Sequence, residues 1–298
     1  MSRPGRVLVV GDVINDVVVR PLGPVASGTD TPSDVRRTFG GQGGNQAAWL
    51  AFLGVEVRFA GRAGAGDADA HRQSLESLGV DVHLTGDLSC ETGSIVVVVD
   101  ASGERSMFTD RGASARLAPA DLPLALLDGV THLHLSGYVL FEEESRQATL
   151  ALAAEARRLG LPVSLDPASV AGLSTAGRDR FLGWAEGVVL LFPNLDEGRL
   201  LAGHETPDRV LPALLARFQE VALKLGPGGA LCGTAGGARA RAPAVGASVL
   251  DSTGAGDAFA AGYLAARLAG RSLEERVEAA VSAAGLALGA FGGRPPGS

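Results

Sequence analysis

The sequence has few cysteines, almost no lysine and no long apolar run. Its two cysteines, Cys90 and Cys232, are far apart and neither belongs to a metal-binding motif, so the pattern indicates free, buried or half-buried thiols and no disulfide framework. No apolar run approaches the length of a membrane span, roughly 18 residues, and the N-terminus shows no signal-peptide pattern. These absences predict a soluble, cytoplasmic protein without a membrane partner.

The charge balance argues against a nucleic-acid partner. The 298 residues carry a formal net charge of −7 and include one lysine, Lys224. Binding to a phosphate backbone would need a concentrated basic patch, which the sequence lacks. With 46% apolar residues, the chain can bury a sizeable core in one large α/β domain or in two smaller ones.

Segments typical of strands and helices alternate along nearly the whole chain. Arg6 to Val10 is a short apolar run that ends in Gly11-Asp12, which is typical of a buried parallel strand. The alternation predicts a parallel sheet with helices on both faces. Further predicted strands of this sheet are 54–61, 130–136, 163–165 and 188–192, and predicted helices are 64–79, 143–159, 258–268 and 273–288.

The stretch from Asp251 to Asp257, Asp-Ser-Thr-Gly-Ala-Gly-Asp, leads directly into an apolar helical run. Its small residues allow a sharp turn and let a ligand approach the first N–H groups of the helix, where the helix dipole favours an anion. A carboxylate beside an anion is repelled unless a proton or a metal ion mediates, and phosphoryl transfer supplies both. The stretch therefore predicts a phosphate site in which Asp257 handles a proton.

A second glycine-rich stretch, Phe39-Gly-Gly-Gln-Gly-Gly-Asn-Gln46, leads into another predicted helix. Gly40, Gly41, Gly43 and Gly44 leave the backbone open to close approach by a ligand at a helix N-terminus. Such glycines are better explained by ligand binding than by packing alone.

These two stretches, about 210 residues apart, resemble the two signatures of the ribokinase-like (PfkB) carbohydrate kinases. The resemblance covers roughly residues 6 to 294 and implies one kinase domain over residues 1–298. It implies a three-layer α/β/α fold with a mostly parallel central sheet and a small β-sheet lid formed by about residues 16–38 and 92–111. The implied reaction is phosphoryl transfer from ATP, with Mg²⁺, to a hydroxyl group of a small carbohydrate.

The resemblance also implies roles for particular residues. Asp257 matches the catalytic base, and Asp251 matches the aspartate that in some members helps to bind a monovalent cation such as K⁺. The anion hole would be formed by Gly254, Ala255 and Gly256; the substrate site by Asp16, Gly40, Gly41 and Asn45; and the nucleotide site by Asn194, Lys224, Gly226 and Gly229.

Asn194 and Glu197 follow a predicted strand and resemble the family's Asn-x-x-Glu motif, in which the glutamate positions Mg²⁺ through water. Hard oxygen ligands suit Mg²⁺, which retains waters and binds few protein groups. The same two residues are also typical of a helix start, with asparagine as the cap and glutamate three residues later. Both interpretations stay open at this point.

The acceptor cannot be read from the sequence, because this chain departs from ribose-specific members. Ile14, Gln42 and Gly137-Tyr138 stand where asparagine, lysine and glutamate are expected. The acceptor could be a ribose- or fructose-like sugar, a keto-deoxy sugar acid whose carboxylate faces Arg111, or a nucleoside. Arg111 is either a substrate ligand or a hinge-surface charge. A non-catalytic sugar or nucleotide sensor is the alternative from another class, against which the intact Asp257 argues.

Three smaller features complete the sequence predictions. The lid sheet would leave an apolar edge, and pairing with a second lid in a homodimer would cover it. His132 and His134 share one face of a predicted strand, but the sequence offers no third metal ligand, so they are interpreted as polar strand residues. Asp166-Pro167 follows another strand, at the edge where ligands of α/β sheets gather.

Overall fold

The computed structural model describes residues 5–99, 105–246 and 249–296, which form two β-sheets and nine α-helices. The main sheet has nine strands in the order β13-β12-β11-β10-β9-β8-β1-β4-β5. Every neighbouring pair from β11 to β5 is parallel, and β12 and β13 add an antiparallel edge. The strands are β1 (Arg6–Val10), β4 (Val57–Gly64), β5 (Asp81–Asp87), β8 (Val130–Ser136), β9 (Val163–Asp166), β10 (Leu190–Leu191), β11 (Glu220–Lys224), β12 (Ala230–Thr234) and β13 (Arg239–Ala242).

Helices cover both faces of this sheet and enclose two apolar cores. Along β1 the side chains alternate, so that Val7 and Val9 pack with helices α1, α2, α8 and α9. Leu8 and Val10 pack on the other face with helices α3 to α7. The helices are α1 (Gln42–Phe52), α2 (Ala68–Glu76), α3 (Glu143–Arg158), α4 (Val170–Ala176), α5 (Arg178–Trp184), α6 (Leu195–Ala202), α7 (Pro207–Leu215), α8 (Ala255–Leu268) and α9 (Leu273–Leu288). The predicted three-layer α/β/α architecture is confirmed.

The second sheet, called here the small sheet, has four strands in the order β3-β2-β6-β7. It consists of β2 (Ile14–Pro21), β3 (Ser33–Gly40), β6 (Thr92–Val99) and β7 (Arg105–Gly112), and its inner pair β2 and β6 is parallel. The strands of this sheet overlap the two segments predicted for the lid, about residues 16–38 and 92–111. The turn predicted at residues 101–104 lies outside the described residues.

Several predicted boundaries differ from the observed ones by a few residues. Gly54 and Gly79 have φ values of +82° and +84°, so α1 ends before Gly54 and α2 ends before Gly79. Strand β4 begins at Val57, after the turn at Gly54, and runs to Gly64, where the sequence predicts the start of the following helix. The predicted strand 188–192 is reduced to the two residues of β10, although the Phe192 N–H still donates to the Leu165 carbonyl at 3.0 Å.

The free thiols predicted for the two cysteines are confirmed, with Cys232 buried and Cys90 partly exposed. Among the described residues, no helix combines the length and the apolar composition that crossing a membrane would require.

Candidate active site

The predicted site residues collect where β1, β9 and β11 end and where α1 and α8 begin. Asp12 follows β1, Asp166 is the last residue of β9, and Lys224 is the last residue of β11. In open α/β sheets, ligands bind outside the carboxyl ends of the strands. Both glycine-rich motifs therefore lie at the ligand-binding edge of the main sheet.

Helix α8 begins at a glycine turn that no larger residue would fit. Gly254 has a left-handed φ of +75°, and a Cβ atom there would lie 2.4 Å from the Cα atom of Gly293. Within the described part of the chain, no side chain caps this helix, and the Ala255 N–H makes a long contact of 3.5 Å with the Ser252 carbonyl, so the first turn can still bind an anion. Gly254, Ala255 and Gly256 thus have the geometry of an anion-binding turn.

Asp257 lies in the first turn of α8 and is joined to the other glycine-rich motif. The Asn45 side chain donates from Nδ2 to Asp257 Oδ2 at 2.9 Å, across 212 positions of sequence. Burial raises the pKa of Asp257 well above its usual value, although the Asn45 hydrogen bond opposes this shift. The Asp166 carboxylate raises the pKa further and the Lys224 ammonium lowers it. Asp257 is therefore a stronger base than an exposed aspartate.

Lys224 is held beside the anion-binding turn by an ion pair. Its Nζ donates to Asp166 Oδ2 at 2.8 Å, and a Cβ atom on Gly256 would lie 3.6 Å from the same Nζ. Burial alone would lower the pKa of Lys224, but the Asp166 and Glu197 carboxylates raise it overall, so the lysine is an ammonium at neutral pH. The sequence predicts no particular role for Asp166. The signal it gives is the position of Asp166 at the end of a strand, where ligands of α/β sheets gather.

Asn194 and Glu197 form a capping box at the start of α6. Asn194 Oδ1 accepts from the Glu197 N–H at 2.9 Å, and Glu197 Oε2 accepts from the Asn194 N–H at 2.8 Å. The helix-start interpretation is therefore observed directly. Burial raises the pKa of Glu197 to about 7, an effect that Lys224 opposes and Asp166 reinforces. Glu197 thus belongs to the same charged cluster as the Lys224–Asp166 pair.

The residues predicted to bind the acceptor lie where the small sheet meets α1. A Cβ atom on Gly40 would collide with the Asp16 carboxylate, so a larger residue there would displace this side chain. Gly41 has a φ of +92°, and a Cβ atom there would lie 2.6 Å from the carbonyl oxygen of Asp12. Burial and the neighbouring Asp12 carboxylate raise the pKa of Asp16 to about 7, whereas Arg111 lowers it.

Arg111 reaches this region from β7 and is fixed by two contacts. Its Nη1 donates to Asp12 Oδ2 at 3.0 Å, and its Cζ lies 3.3 Å from the centre of the Tyr138 ring. The Ser136 hydroxyl lies between Asp12 and Gln42. It is 3.1 Å from Asp12 Oδ1 and donates to Gln42 Oε1 at 2.7 Å. The sequence predicts no site role for Asp12 or Ser136. It indicates Gln42 and Tyr138 only as departures from the ribose-specific pattern.

The remaining predicted residues lie at the edges of the site. Asp251 Oδ1 accepts from the Thr253 N–H at 2.9 Å, and its Oδ2 accepts from the Gly292 N–H at 3.1 Å, which ties the motif to the C-terminal segment. Gly226 and Gly229, with φ values of +56° and +81°, form the turn between β11 and β12. A Cβ atom on Gly226 would meet no described atom within 4 Å, so this turn borders open space.

The donor set fits the Mg²⁺ complex of a nucleoside triphosphate. In the described ranges, no group of three or more histidine, cysteine, aspartate or glutamate side chains could hold a metal ion alone. Mg²⁺ in phosphoryl-transfer sites needs only one or two carboxylates, because phosphates and waters complete its shell. Glu197 and Asp166 meet that smaller requirement, and Lys224 with the α8 N-terminus would bind the phosphates.

Comparison with known proteins identifies the family to which this site belongs. Residues 5–297 match the pfkB family of carbohydrate kinases. The ATP-dependent ribose-1-phosphate kinase of Halopiger xanaduensis is 31% identical over 97% of this chain and 94% of that protein. The Klebsiella pneumoniae fructokinase is 32% identical over 88% of this chain and 84% of that protein. The crystal structure of adenosine kinase from Sinorhizobium meliloti matches 98% of this chain and 96% of its own with a TM-score of 0.88 and 26% identity. The chain belongs to the pfkB family of carbohydrate kinases and is a phosphotransferase that acts on a sugar hydroxyl group.

Proposed function

We propose that this carbohydrate kinase transfers the γ-phosphoryl group of ATP to a hydroxyl group of a small ribose- or fructose-like sugar. The observation that carries the proposal is the hydrogen bond between Asn45 and Asp257. It joins the motif expected to hold the sugar to a carboxylate in the first turn of a helix that carries no side-chain cap within the described residues. A sugar hydroxyl held near Asn45 would lie next to both the base and the anion-binding turn.

In this mechanism, Asp16, Gly40, Gly41 and Asn45 hold the acceptor and Asp257 takes its hydroxyl proton. The N–H groups of Gly254, Ala255 and Gly256 stabilise the charge on the transferred group, and Lys224 neutralises phosphate oxygens beside them. Mg²⁺ bound with ATP would supply further charge neutralisation; Glu197, positioned by its capping box with Asn194, would hold it through water, with Asp166 as the second carboxylate of the cluster. Little proton transfer is needed early in a loose transition state, so Asp257 acts mainly by accepting the proton as the bond forms.

The direct test is ADP release from Mg-ATP with a panel of acceptors, with and without K⁺. The panel contains ribose, ribose 1-phosphate, fructose, 2-keto-3-deoxygluconate and nucleosides. Turnover that depends on one acceptor supports the kinase proposal and names the substrate. Stimulation by K⁺ would support the predicted cation role of Asp251. If no acceptor of the panel gives turnover while ATP still binds, the proposal fails for these sugars and the sensor alternative is favoured.

An acidic acceptor is a second candidate, which the position of Arg111 favours. About one quarter of the Arg111 side chain is exposed, in the acceptor region near Asp16. For a sugar acid, we expect Arg111→Ala to raise KM roughly 30-fold with little change in kcat, because a charge-assisted hydrogen bond in the bound complex is lost. Arg116→Ala, which removes an arginine bonded to Ser89 outside the site, is the matched control. An unchanged KM in Arg111→Ala would contradict an acidic acceptor.

The small sheet is proposed to act as a lid that pairs with its copy in a homodimer. Its edge strands β3 and β7 carry apolar side chains that are more than half exposed, namely Val35, Met107 and Phe108. We expect Phe108→Glu to convert a dimer into a monomer in sedimentation equilibrium, because a charge would be buried in the interface. Leu88→Glu, at an exposed leucine outside the small sheet, should leave the dimer intact. A wild-type protein that stays monomeric at micromolar concentration contradicts this prediction.

A further inference from the structure

A chain of six polar side chains crosses the interior of the protein and ends at the proposed phosphate site. We call it the polar chain; its members are His132, Ser164, His134, Gln46, Asp166 and Lys224. The first five are at most 1% exposed. Strands β8 and β9 pair in parallel with His134 opposite Ser164, so their polar residues share one face of the main sheet. Buried polar groups are costly unless they are bonded, so each link of the chain matters.

Each member of the polar chain contacts the next. Ser164 Oγ lies 2.7 Å from His132 Nε2 and 2.7 Å from His134 Nδ1. His134 Nε2 lies 2.9 Å from Gln46 Oε1, and Gln46 Nε2 donates to Asp166 Oδ2 at 3.2 Å. Lys224 Nζ donates to the same Asp166 oxygen at 2.8 Å.

The direction of these hydrogen bonds is fixed from the Asp166 end. A carboxylate oxygen only accepts, so Gln46 must present its NH₂ group to Asp166 and its carbonyl oxygen to His134. His134 then donates from Nε2, which leaves Nδ1 as an acceptor for the Ser164 hydroxyl. Burial lowers the pKa of His134 to about 3, so the ring is neutral and has one N–H, as this pattern requires.

The same logic extends to His132. Because the Ser164 hydroxyl hydrogen points at His134, the Ser164 oxygen accepts from His132 Nε2. Burial lowers the pKa of His132 well below its usual value, which keeps this ring neutral as well. All the donors upstream of Asp166 therefore point toward it, and such an aligned series strengthens its individual bonds.

The functional end of the polar chain is the Lys224 ammonium beside Gly256. If the Gln46 amide turned over, its carbonyl oxygen would face Asp166 Oδ2, and two acceptors would repel each other. Asp166 would then shift and take Lys224 away from the anion-binding turn. Gln46 also follows Asn45, which bonds Asp257. The orientation of the Gln46 amide thus affects the position of Lys224 at the proposed phosphate site. Its neighbour in sequence, Asn45, bonds the proposed base Asp257.

We propose that His134, held by Ser164 and His132, is a positioning residue for phosphoryl transfer. It sets the orientation of the Gln46 amide and thereby places Asp166 and the Lys224 ammonium at the anion-binding turn. This inference rests on the proposed kinase function. It adds residues that touch neither substrate nor nucleotide and that act only through the hydrogen bonds of the polar chain.

The first test is nitrogen-15 NMR of protein labelled at its histidines, of which the chain has five. The His132→Gln and His134→Gln variants assign the two signals. We expect both rings to be neutral with the proton on Nε2 at pH 7. A cationic His134, or one protonated at Nδ1, would overturn the proposal. This measurement needs no turnover, so it separates the polar chain from the question of which reaction is catalysed.

The second test compares two amide replacements of His134. Glutamine places an amide N–H near the position of Nε2, whereas the shorter asparagine places it near Nδ1. We expect His134→Asn to lower kcat about tenfold, and His134→Gln to stay within about threefold of wild type, with the acceptor KM unchanged in both variants. Equal kcat values in the two variants would overturn the proposal, because a purely structural role would not favour the Nε2 donor.

Ser164→Ala and Ser145→Ala form a matched pair. Each removes a fully buried serine hydroxyl, and among the described residues Ser145 bonds the Glu142 carbonyl at the start of α3, away from the polar chain. Both should lower the Tm, but only Ser164→Ala should lower kcat, by about fivefold. Parallel kcat losses in both variants would overturn the proposal. A wild-type protein that releases no ADP on any acceptor would instead contradict the proposed function, and the positioning role with it.

Discussion

Replacing Asp257 with asparagine is expected to lower kcat about 10³-fold while the dissociation constant for Mg-ATP stays within about twofold of wild type. Asparagine keeps the size of the side chain and can still bond Asn45, but it cannot take a proton. Asp257 lies in the first turn of α8 but does not cap it, so its replacement should leave the helix start and ATP binding intact. The loss should therefore fall on the chemical step. Steady-state ADP release and calorimetric titration with Mg-ATP measure the two quantities.

The control for this variant is Asp69→Asn. Asp69 also lies in the first turn of a helix, α2, but its side chain is 88% exposed and it stands outside the site. Its replacement should leave kcat unchanged, because an exposed carboxylate contributes little beyond a weak interaction with the helix dipole and a surface ion pair, here with Arg72 at 3.6 Å. If Asp257→Asn turned over at near-normal rate, the base assignment would be wrong.

The fold was largely predictable because its signals are local. Periodic apolar runs and glycine punctuation determine β1, β8, α3 and α9, whose observed bounds agree with the predicted ones to within a residue. Strand β10 was less predictable, because a two-residue strand buried between β9 and β11 owes its length to its neighbours. Propensity within the segment carries no information about that environment.

The site was predictable where it rests on backbone geometry and less so where it rests on lone side chains. Gly254 and Gly41 could be identified because a left-handed turn before a helix requires glycine. Asp12 and Asp166 could not be assigned roles, since a single aspartate after a strand is equally typical of a turn. Their partners, Arg111 and Lys224, come from distant strands that only the folded sheet brings together.

The hydrogen bond between Asn45 and Asp257 connects two residues whose roles are predicted separately from the sequence. The family resemblance implies that Asn45 is a sugar ligand and Asp257 a base, but the sequence does not show that the two side chains touch. The structure places an Asn45 N–H on the Asp257 carboxylate. An acceptor held by Asn45 would therefore lie next to the proposed base.

Replacing Lys224 with methionine is expected to lower both kcat and stability. Methionine retains the length of the apolar stem but removes the charge beside Gly256, so we expect kcat to fall about 10²-fold through lost phosphate neutralisation. The variant also leaves the Asp166 carboxylate buried without its partner, and breaking a buried ion pair in this way costs about 3 kcal/mol in the free energy of unfolding. Such a loss corresponds to a decrease in Tm of about 5 °C in a chain of this size.

The double variant Lys224→Met with Asp166→Asn separates these two effects. Asparagine removes the unpaired charge and can still accept from the Gln46 amide, so the double variant should recover most of the lost stability. Its kcat should stay as low as that of Lys224→Met, because the ammonium is still missing from the anion-binding turn. Thermal unfolding and ADP release are measured on the wild type, Lys224→Met, Asp166→Asn and the double variant, which together form a double-mutant cycle. Recovery of kcat together with stability would show that Lys224 serves only to compensate Asp166, and the phosphate-binding role assigned to it would then be wrong.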